Sequence, residues 1–398
     1  MKLSSRAWIV AALLFTATLL NYVDRLTLSV VSRTIRADFG MNEIDYAHIT
    51  TLFLAAYAIM YAGSGFIVDR IGTKRGFALF MFTWSSAQLL HAFAVGKWSM
   101  GACRFLLGLA EPGNWPASAK AVAEWFPVER RALGMGIMNA GTSLGSALAP
   151  ILVAGITMKY GWRAAFVVTG AAGLLWLGAW WKLYYTPESV LKSAPVKRRP
   201  WRDIFSTRAC WSLCLARFFT DPVIYFIIFW LPEYLGKERG FSLAMIGAYA
   251  WVPFIFGDIG YLTGGWLSGK LMDRGYTLGR ARRKVMYMGA AVMPAAIFAP
   301  FAPNFELALA AICLMTLGHA MWVANLQSIP ADVFPSSEVA TASGLTGMGG
   351  AFGGMLANLG TGYVVQSYGY APVFIVAGLM HPLAALIVHR LLGPREIE

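Results

Sequence analysis

The stretch Gly65-Phe66-Ile67-Val68-Asp69-Arg70-Ile71-Gly72-Thr73-Lys74-Arg75 returns in part as Gly269-Lys270-Leu271-Met272-Asp273-Arg274-Gly275, with Arg282, Arg283 and Lys284 beyond it. Asp69 and Asp273 are 204 residues apart. A second landmark keeps nearly the same interval, since Trp125-Phe126-Pro127 and Val333-Phe334-Pro335 are offset by 208 residues. Both offsets are close to half of the 398-residue chain, which predicts a duplicated unit.

On either side of these basic turns the sequence is apolar. The chain is 58% hydrophobic and 13% charged, with a mean hydropathy of +0.57, whereas a soluble domain carries about 25% charged residues. A span of about 20 apolar residues crosses about 30 Å of hydrocarbon. Twelve runs meet that length, near 8–31, 46–68, 76–96, 98–122, 133–158, 164–185, 209–235, 244–272, 284–302, 305–329, 339–367 and 371–392. The predicted fold is all-α and integral to the membrane. Twelve transmembrane helices form two pseudo-symmetric six-helix bundles, with both termini cytoplasmic. Residues 1–186 make the N-terminal bundle, 187–207 a cytoplasmic linker, and 208–398 the C-terminal bundle.

The net charge of +13 follows this topology. With the N-terminus inside, 22 of the 33 Lys and Arg residues fall on the cytoplasmic side, 7 outside and 4 within spans. This is the positive-inside bias, so no nucleic-acid partner is implied. Lys2 and Arg6 ahead of an apolar stretch imitate a secretory signal, but the run continues through Asn21-Tyr22-Val23-Asp24 with no small-x-small cleavage site, and is read as a retained first span. The linker carries Lys192, Lys197, Arg198, Arg199 and Arg202 with three prolines and reads as a solvated connection. Cys103, Cys210, Cys214 and Cys313 all fall in spans without metal-ligand company, so no metal or cofactor is expected. Glycines recur in the fifth span (Gly134, Gly136, Gly141, Gly145) and the eleventh (Gly344, Gly347, Gly349, Gly350, Gly353, Gly354), and small residues let helices approach closely in lipid. Close packing between the two halves is expected there.

Two acid–base neighbours stand out inside apolar spans: Asp24 beside Arg25, and Arg104 seven residues before Glu111. Each such charge costs about 2.5–3.5 kcal/mol on insertion scales, so residues of this kind line polar pathways. Desolvation and a nearby cation push a carboxyl group's proton affinity in opposite directions, which suits Asp24 and Glu111 to proton exchange. Seven residues are two helical turns, placing Arg104 and Glu111 on one side. Arginine suits a carboxylate through its planar fork of donors. Arg25, Arg104 and Arg217 are available, and Arg217 also has Asp221 one turn away. These features indicate a transporter whose interior handles ions, not an enzyme. Neither a metal-ligand cluster nor a nucleophile constellation is present in the sequence.

The Gly-x3-Asp-Arg-x-Gly-x-Lys-Arg run, its partial copy, and twelve spans in two halves resemble the major facilitator superfamily. Asn21-Tyr22-Val23-Asp24-Arg25 resembles its anion:cation symporter branch, as does Arg104-x6-Glu111-x4-Pro116 followed by Glu124-Trp125-Phe126-Pro127. Within that branch the second half looks most like the bacterial hexuronate transporters. The matching stretches are Arg217-Phe218-Phe219 with Asp221-Pro222, Ala250-Trp251-Val252-Pro253 leading to Asp258, and Asp332-Val333-Phe334 with Glu338-Val339-Ala340-Thr341-Ala342-Ser343-Gly344-Leu345-Thr346-Gly347-Met348. Tyr61 departs from the pattern, standing where many relatives have Gln.

The resemblance implies proton coupling at Asp24 and Glu111. It implies substrate binding at Arg25 and Tyr57, with Arg104, Arg217, Asn325 and Gln327 as further contacts. Asp69 and Arg70, with Asp273 and Arg274, would tune the conformational equilibrium. Asp258 and His319 are left as structural groups. The expected activity is proton-coupled uptake of a sugar-acid monocarboxylate, a hexuronate first, by alternating access. The expected partners are the small anion, protons and the bilayer, with the chain working as a monomer in the bacterial inner membrane. The alternatives are other organic anions (aldonate, aldarate or aromatic carboxylate) and an exporter of cationic compounds, which three intramembrane arginines oppose.

Overall fold

The computed structural model describes residues 4–41, 43–188, 199–241, 245, 249 and 251–392. All regular structure among them is helical. The helices are α1 Ser5–Val30, α2 Ser32–Phe39, α3 Glu43–Ile71, α4 Thr73–Leu90, α5 Lys97–Ala110, α6 Asn114–Trp125, α7 Arg131–Tyr160, α8 Trp162–Leu183, α9 Trp201–Phe205, α10 Arg208–Lys237, α11 Val252–Asp273, α12 Leu278–Val292, α13 Phe305–Leu326, α14 Ile329–Val333, α15 Val339–Tyr368 and α16 Ala371–Leu391. Eight helical segments among the described residues are long and apolar enough to cross a membrane: Ser5–Val30, His48–Ile71, Val128–Tyr160, Trp162–Leu183, Arg208–Ile228, Leu278–Phe301, Phe305–Val333 and Ala371–Leu391. The other expected apolar runs coincide with α4, the interrupted α5–α6 pair, α11 and α15.

Local chemistry sets the helix ends. Ser4 Oγ accepts from the Ala7 amide at 3.1 Å, Thr207 Oγ1 from Cys210 at 3.2 Å, and Asn304 Oδ1 from Leu307 at 3.0 Å. Each supplies an acceptor to an otherwise orphaned amide of the first turn. Between α3 and α4 the chain reverses at Gly72 (φ 86°), and between α7 and α8 at Gly161 (φ 82°), conformations that a side chain would strain. Within the expected fourth span the helix breaks. Pro112 offers no amide hydrogen, and Glu111–Gly113 tightens into a 3-10 turn between α5 and α6. Pro294 and Pro300 have the same effect in Met293–Phe301, a 3-10 extension of α12.

Two compact units pack separately. The first contains residues up to Trp125, Ile137–Trp201 and Phe334–Gly344. Apolar contact alone gives helices little reason to associate in lipid, so close backbone approach matters. A side chain at Gly108 would strike Phe53 O and Ala56 on α3, while Gly141 and Gly145 meet the backbone of α1 at Phe15 and Leu19. Gly170 and Gly173 on α8 fit against Ser85 and Leu89 on α4. An aromatic ladder of Phe77, Trp176, Trp180 and Tyr184 fills the rest of that seam, with ring centroids 4.0–5.3 Å apart.

The second unit contains Phe126–Gly136, Arg202–Val333 and residues from Leu345 onward. Here α11 lies along α13 through Gly260 and Gly264, and α12 crosses α13 where Gly289 meets Gly318. Gly349 and Gly353 on α15 meet the α10 backbone at Cys214 and Phe218. The glycines of the fifth and eleventh runs therefore divide their work. Gly136 on Tyr261 and Gly344 on Tyr61 join residues from opposite sequence halves, while Gly141, Gly145, Gly349 and Gly353 close seams within one half. Of the expected linker, residues 189–198, including Lys192, Lys197 and Arg198, lie outside the described residues. Arg199 is described, and its guanidinium forks onto the buried Glu338 carboxylate at 2.6–3.1 Å.

Candidate functional site

The charged side chains of the first unit converge where α1 passes the break between α5 and α6. Arg25 Nε and Nη2 both lie 2.9 Å from Glu111 Oε2. Glu111 starts the 3-10 turn and is fully buried, whereas the Arg25 side chain keeps 20% of its surface. Asn21, one turn before Arg25, accepts from Arg25 Nη2 at 3.2 Å and donates to the Glu111 carbonyl at 3.4 Å. Three rings surround the guanidinium, with centroids at 4.8 Å (Tyr57), 4.9 Å (Tyr22) and 5.7 Å (Phe53). Such stacking holds a cation at about 0.5–2 kcal/mol per ring. Trp115 Nε1 donates to Tyr57 Oη at 2.7 Å, which leaves the tyrosine hydroxyl proton free for another acceptor. Arg104 is 3% exposed, donates to the Arg25 carbonyl at 3.4 Å and lies 5.9 Å from the Phe53 ring centroid. The expected residues Arg25, Tyr57, Arg104 and Glu111 thus form one cluster.

Asp24 faces another way. Successive helical residues diverge by about 100°, so the carboxyl group points from α1 toward α4 and α8 while Arg25 points to Glu111. Asp24 is fully buried, and neither oxygen has a hydrogen bond at bonding distance. The side chains that face it are Thr169 and Trp84, and the charges acting on it come from Glu111 and Arg104. Asn21, Tyr22, Trp84, Trp115 and Thr169 join the site only in the folded chain. The spacing of Asn21 and Arg25, and of Glu111 and Trp115, is one helical turn, which is the signal that marks two of them.

In the second unit Arg217 closes on its own helix. Its Nε and Nη2 reach Asp221 Oδ2 at 2.9 and 2.8 Å, and both residues are buried. Asn325 is fully buried and donates to the backbone carbonyls of Gly264 (3.1 Å) and Met321 (3.0 Å), bracing α13 against α11. Gln327 caps the end of α13. His319 has a partner: its Nδ1 is 3.1 Å from His381 Nε2 on α16, with Trp322 edge-on to the pair. Both imidazoles are buried. Asp258 lies on α11 with one buried oxygen lacking a hydrogen bond.

The repeated acidic turns differ in their surroundings. Asp69 is buried and takes Lys120 Nζ at 2.7 Å, while its oxygens also accept from the Thr341 amide (2.6 Å) and Thr341 Oγ1 (2.7 Å) in the first turn of α15. A carboxylate there complements the positive end of the helix. Asp273 is half exposed and pairs with Arg130 at 2.5 Å. In the second unit the side chain of Asp332 is buried in a comparable network, paired with both Arg131 and Arg282 at 3.1 Å. Arg70 and Arg274 are exposed at the ends of α3 and α11. Beside Asp69, Glu124 accepts from Thr73 Oγ1 at 2.6 Å and from the Tyr184 hydroxyl, and burial pushes its carboxyl group above the ordinary value of 4.5. No group of three or more His, Cys, Asp or Glu side chains among the described residues is placed to hold a metal ion.

Several helices long and apolar enough to cross a membrane, with an arginine, a buried carboxylate and a tyrosine gathered between them, point to a membrane transporter. The Major Facilitator Superfamily model matches residues 14–357 and 269–398, and the chain belongs to that family. It is 30% identical to the hexuronate transporter of Escherichia coli (strain K12), over 97% of this chain and 94% of that protein. It is 26% identical to the D-galactonate transporter of E. coli O6:H1, over 98% and 97%. Among solved structures, the proton:xylose symporter XylE bound to 6-bromo-6-deoxy-D-glucose superposes with a TM-score of 0.78 at 15% identity, covering 98% of this chain and 97% of the other. The E. coli fucose:proton symporter FucP superposes with a TM-score of 0.77 at 16% identity, covering 96% and 98%. Relatives and structural neighbours alike are transporters rather than enzymes.

Proposed function

We propose that this transporter carries a sugar-acid monocarboxylate, a hexuronate first, inward with protons, and that the Arg25–Glu111 ion pair is its coupling element. Glu111 Oε2 occupies the edge of the guanidinium that a substrate carboxylate would use. The two anions therefore compete for one fork of donors. A proton on Glu111 ends its ion pairing and frees Arg25 for the substrate. Loss of that proton on the inner side restores the pair and expels the anion. Asp24 is the second proton carrier. Burying an isolated carboxylate is costly, and no cation lies at hydrogen-bond distance from this one.

One accessible arginine favours a monoanion over an aldarate with two carboxylates. Arg25 alone of the three keeps substantial exposure and faces ring and hydroxyl groups, while Arg104 is enclosed and Arg217 is neutralised by Asp221. Tyr57, held by Trp115, would donate to the substrate. Arg104, Arg217, Asn325 and Gln327 would act from further out, chiefly by shaping the walls. Similarity to hexuronate, galacturonate and D-galactonate transporters supports a sugar-acid cargo.

The remaining features of the proposal follow from the duplication. Residues 1–186 and 208–398 form two six-helix bundles joined by 187–207, both termini are cytoplasmic, and the chain works as a monomer in the bacterial inner membrane. The transporter alternates between outward-open and inward-open states, with Asp69, Arg70, Asp273 and Arg274 setting the balance between them. Proteoliposome uptake of labelled glucuronate and galacturonate under an inward proton gradient tests the whole reading. Accumulation that collapses with a protonophore is expected. Uptake of a cationic dye with none of any sugar acid would overturn it.

A further inference from the structure

Around Asp24 lies a group of polar side chains that the coupling scheme leaves unexplained. Trp84 from α4 and Thr169 from α8 face the carboxyl group, Gln88 from α4 lies beside the Asp24 backbone carbonyl, and all are buried. Gln88 Nε2 donates to Thr169 Oγ1 at 2.9 Å and approaches the Asp24 carbonyl at 3.4 Å. Because Thr169 already accepts from Gln88, its own hydroxyl proton is free to point at Asp24. Trp84 Nε1 can only donate. Gln88 Oε1 can only accept, and among the described residues it has no donor. Both Asp24 oxygens and Trp84 Nε1 are likewise buried without a bond at bonding distance. Orphaned buried polar atoms are rare and costly, and several gathered around one carboxyl group call for an explanation.

We infer that Trp84, Gln88 and Thr169 are positioning residues for proton exchange at Asp24, arranged to serve both of its protonation states. The ionised form receives the Thr169 hydroxyl and the Trp84 indole N–H. The protonated form gives its own hydrogen to Gln88 Oε1. Each state of the acid then has a partner that the other state leaves idle, so a proton can enter and leave without stranding a buried charge. The other titratable or charged groups near these side chains are Glu111 and Arg104, with His91 at the end of α4. His91 Nδ1 is 2.7 Å from the Ala87 carbonyl and its ring stacks on Phe166, so it is held away from the exchange.

This assignment rests on the proton-symport reading, and the experiment separates the two. Full-length protein is reconstituted in liposomes, and labelled glucuronate is the probe for exchange, for gradient-driven accumulation and for the pH midpoint of uptake. Thr169→Val removes a donor to the carboxylate, so the midpoint should move to higher pH by about one unit, the size of one hydrogen bond to a charged group. Gln88→Leu removes the acceptor for the protonated form, so the midpoint should move the opposite way. Thr169→Ser keeps the hydroxyl and should restore the original midpoint. Exchange should survive in all three. Shifts in one common direction, no shift, or loss of exchange with the midpoint unmoved would overturn the assignment, because each is the behaviour of a merely structural contact. Asp24→Asn provides the control. If it leaves accumulation intact, the symport reading itself falls; if it abolishes accumulation while the midpoints stay fixed, only the positioning assignment falls.

Discussion

Arg25 and Glu111 stand 86 residues apart in the chain, yet two guanidinium nitrogens converge on one oxygen, Glu111 Oε2, at 2.9 Å. The other Glu111 oxygen is buried without a hydrogen bond. A pair in this state can be exchanged for another, because the arginine fork gains a second acceptor when a two-oxygen carboxylate arrives.

Glu111→Gln should abolish accumulation of labelled glucuronate above equilibrium in proteoliposomes while counterflow exchange persists. The neutral amide leaves Arg25 open at every pH and removes the proton from the cycle. Accumulation at the wild-type ratio would remove Glu111 from the coupling scheme.

Arg25→Lys keeps the charge and loses the planar fork. Affinity for glucuronate should fall about 10- to 100-fold, as expected for one charge-assisted hydrogen bond, read by isothermal titration or transport KM. Arg25→Ala should additionally destabilise the protein, since removing one partner of a buried pair costs about 3–5 kcal/mol. An unchanged melting temperature would contradict the ion-pair geometry.

Gly108→Ala tests how the site is held. The new methyl group would press on Phe53 O and Ala56 of α3, pushing apart the helices that carry Arg104 and Tyr57. Overpacking of this kind costs about 1–3 kcal/mol. Lower thermal stability together with a raised KM is expected, and a silent variant would mean that the seam yields freely.

Asp69→Asn should leave Lys120 buried without its anion and weaken the contact to the Thr341 amide. The single variant should lose both stability and transport rate. Asp69→Asn combined with Lys120→Met should regain stability, because a buried pair can be replaced by apolar groups. If the double variant also regains full turnover, Asp69 has no part in conformational switching.

Glu124 gives a pH signature outside the membrane spans. Its ordinary value is 4.5 and burial raises it in the folded chain, so above pH 4.5 the folded state holds a proton that the unfolded chain has released. Stability therefore falls as pH climbs from 4.5 through the raised value. Glu124→Gln should flatten that part of the profile of melting temperature against pH in detergent. A wild-type profile that rises over this window would show that another group dominates.

Much of this protein was legible in its residues alone. The length and number of the apolar runs point to a helical membrane protein, because hydrocarbon thickness acts on composition directly. Arg25, Arg104 and Glu111 stand out as charges inside apolar spans and Tyr57 through the family resemblance, and the structure gathers them. What the residues could not give was pairing. A helix that is apolar nearly all round carries little information about its rotation, so nothing in Asp24-Arg25 says that one faces Thr169 and the other Glu111. The bond from Asn325 to a neighbouring backbone, the His319–His381 contact and the burial of the Asp332 side chain were undetermined for the same reason. Composition chose which charges enter the membrane; the close approach of small residues at helix seams chose which of them meet.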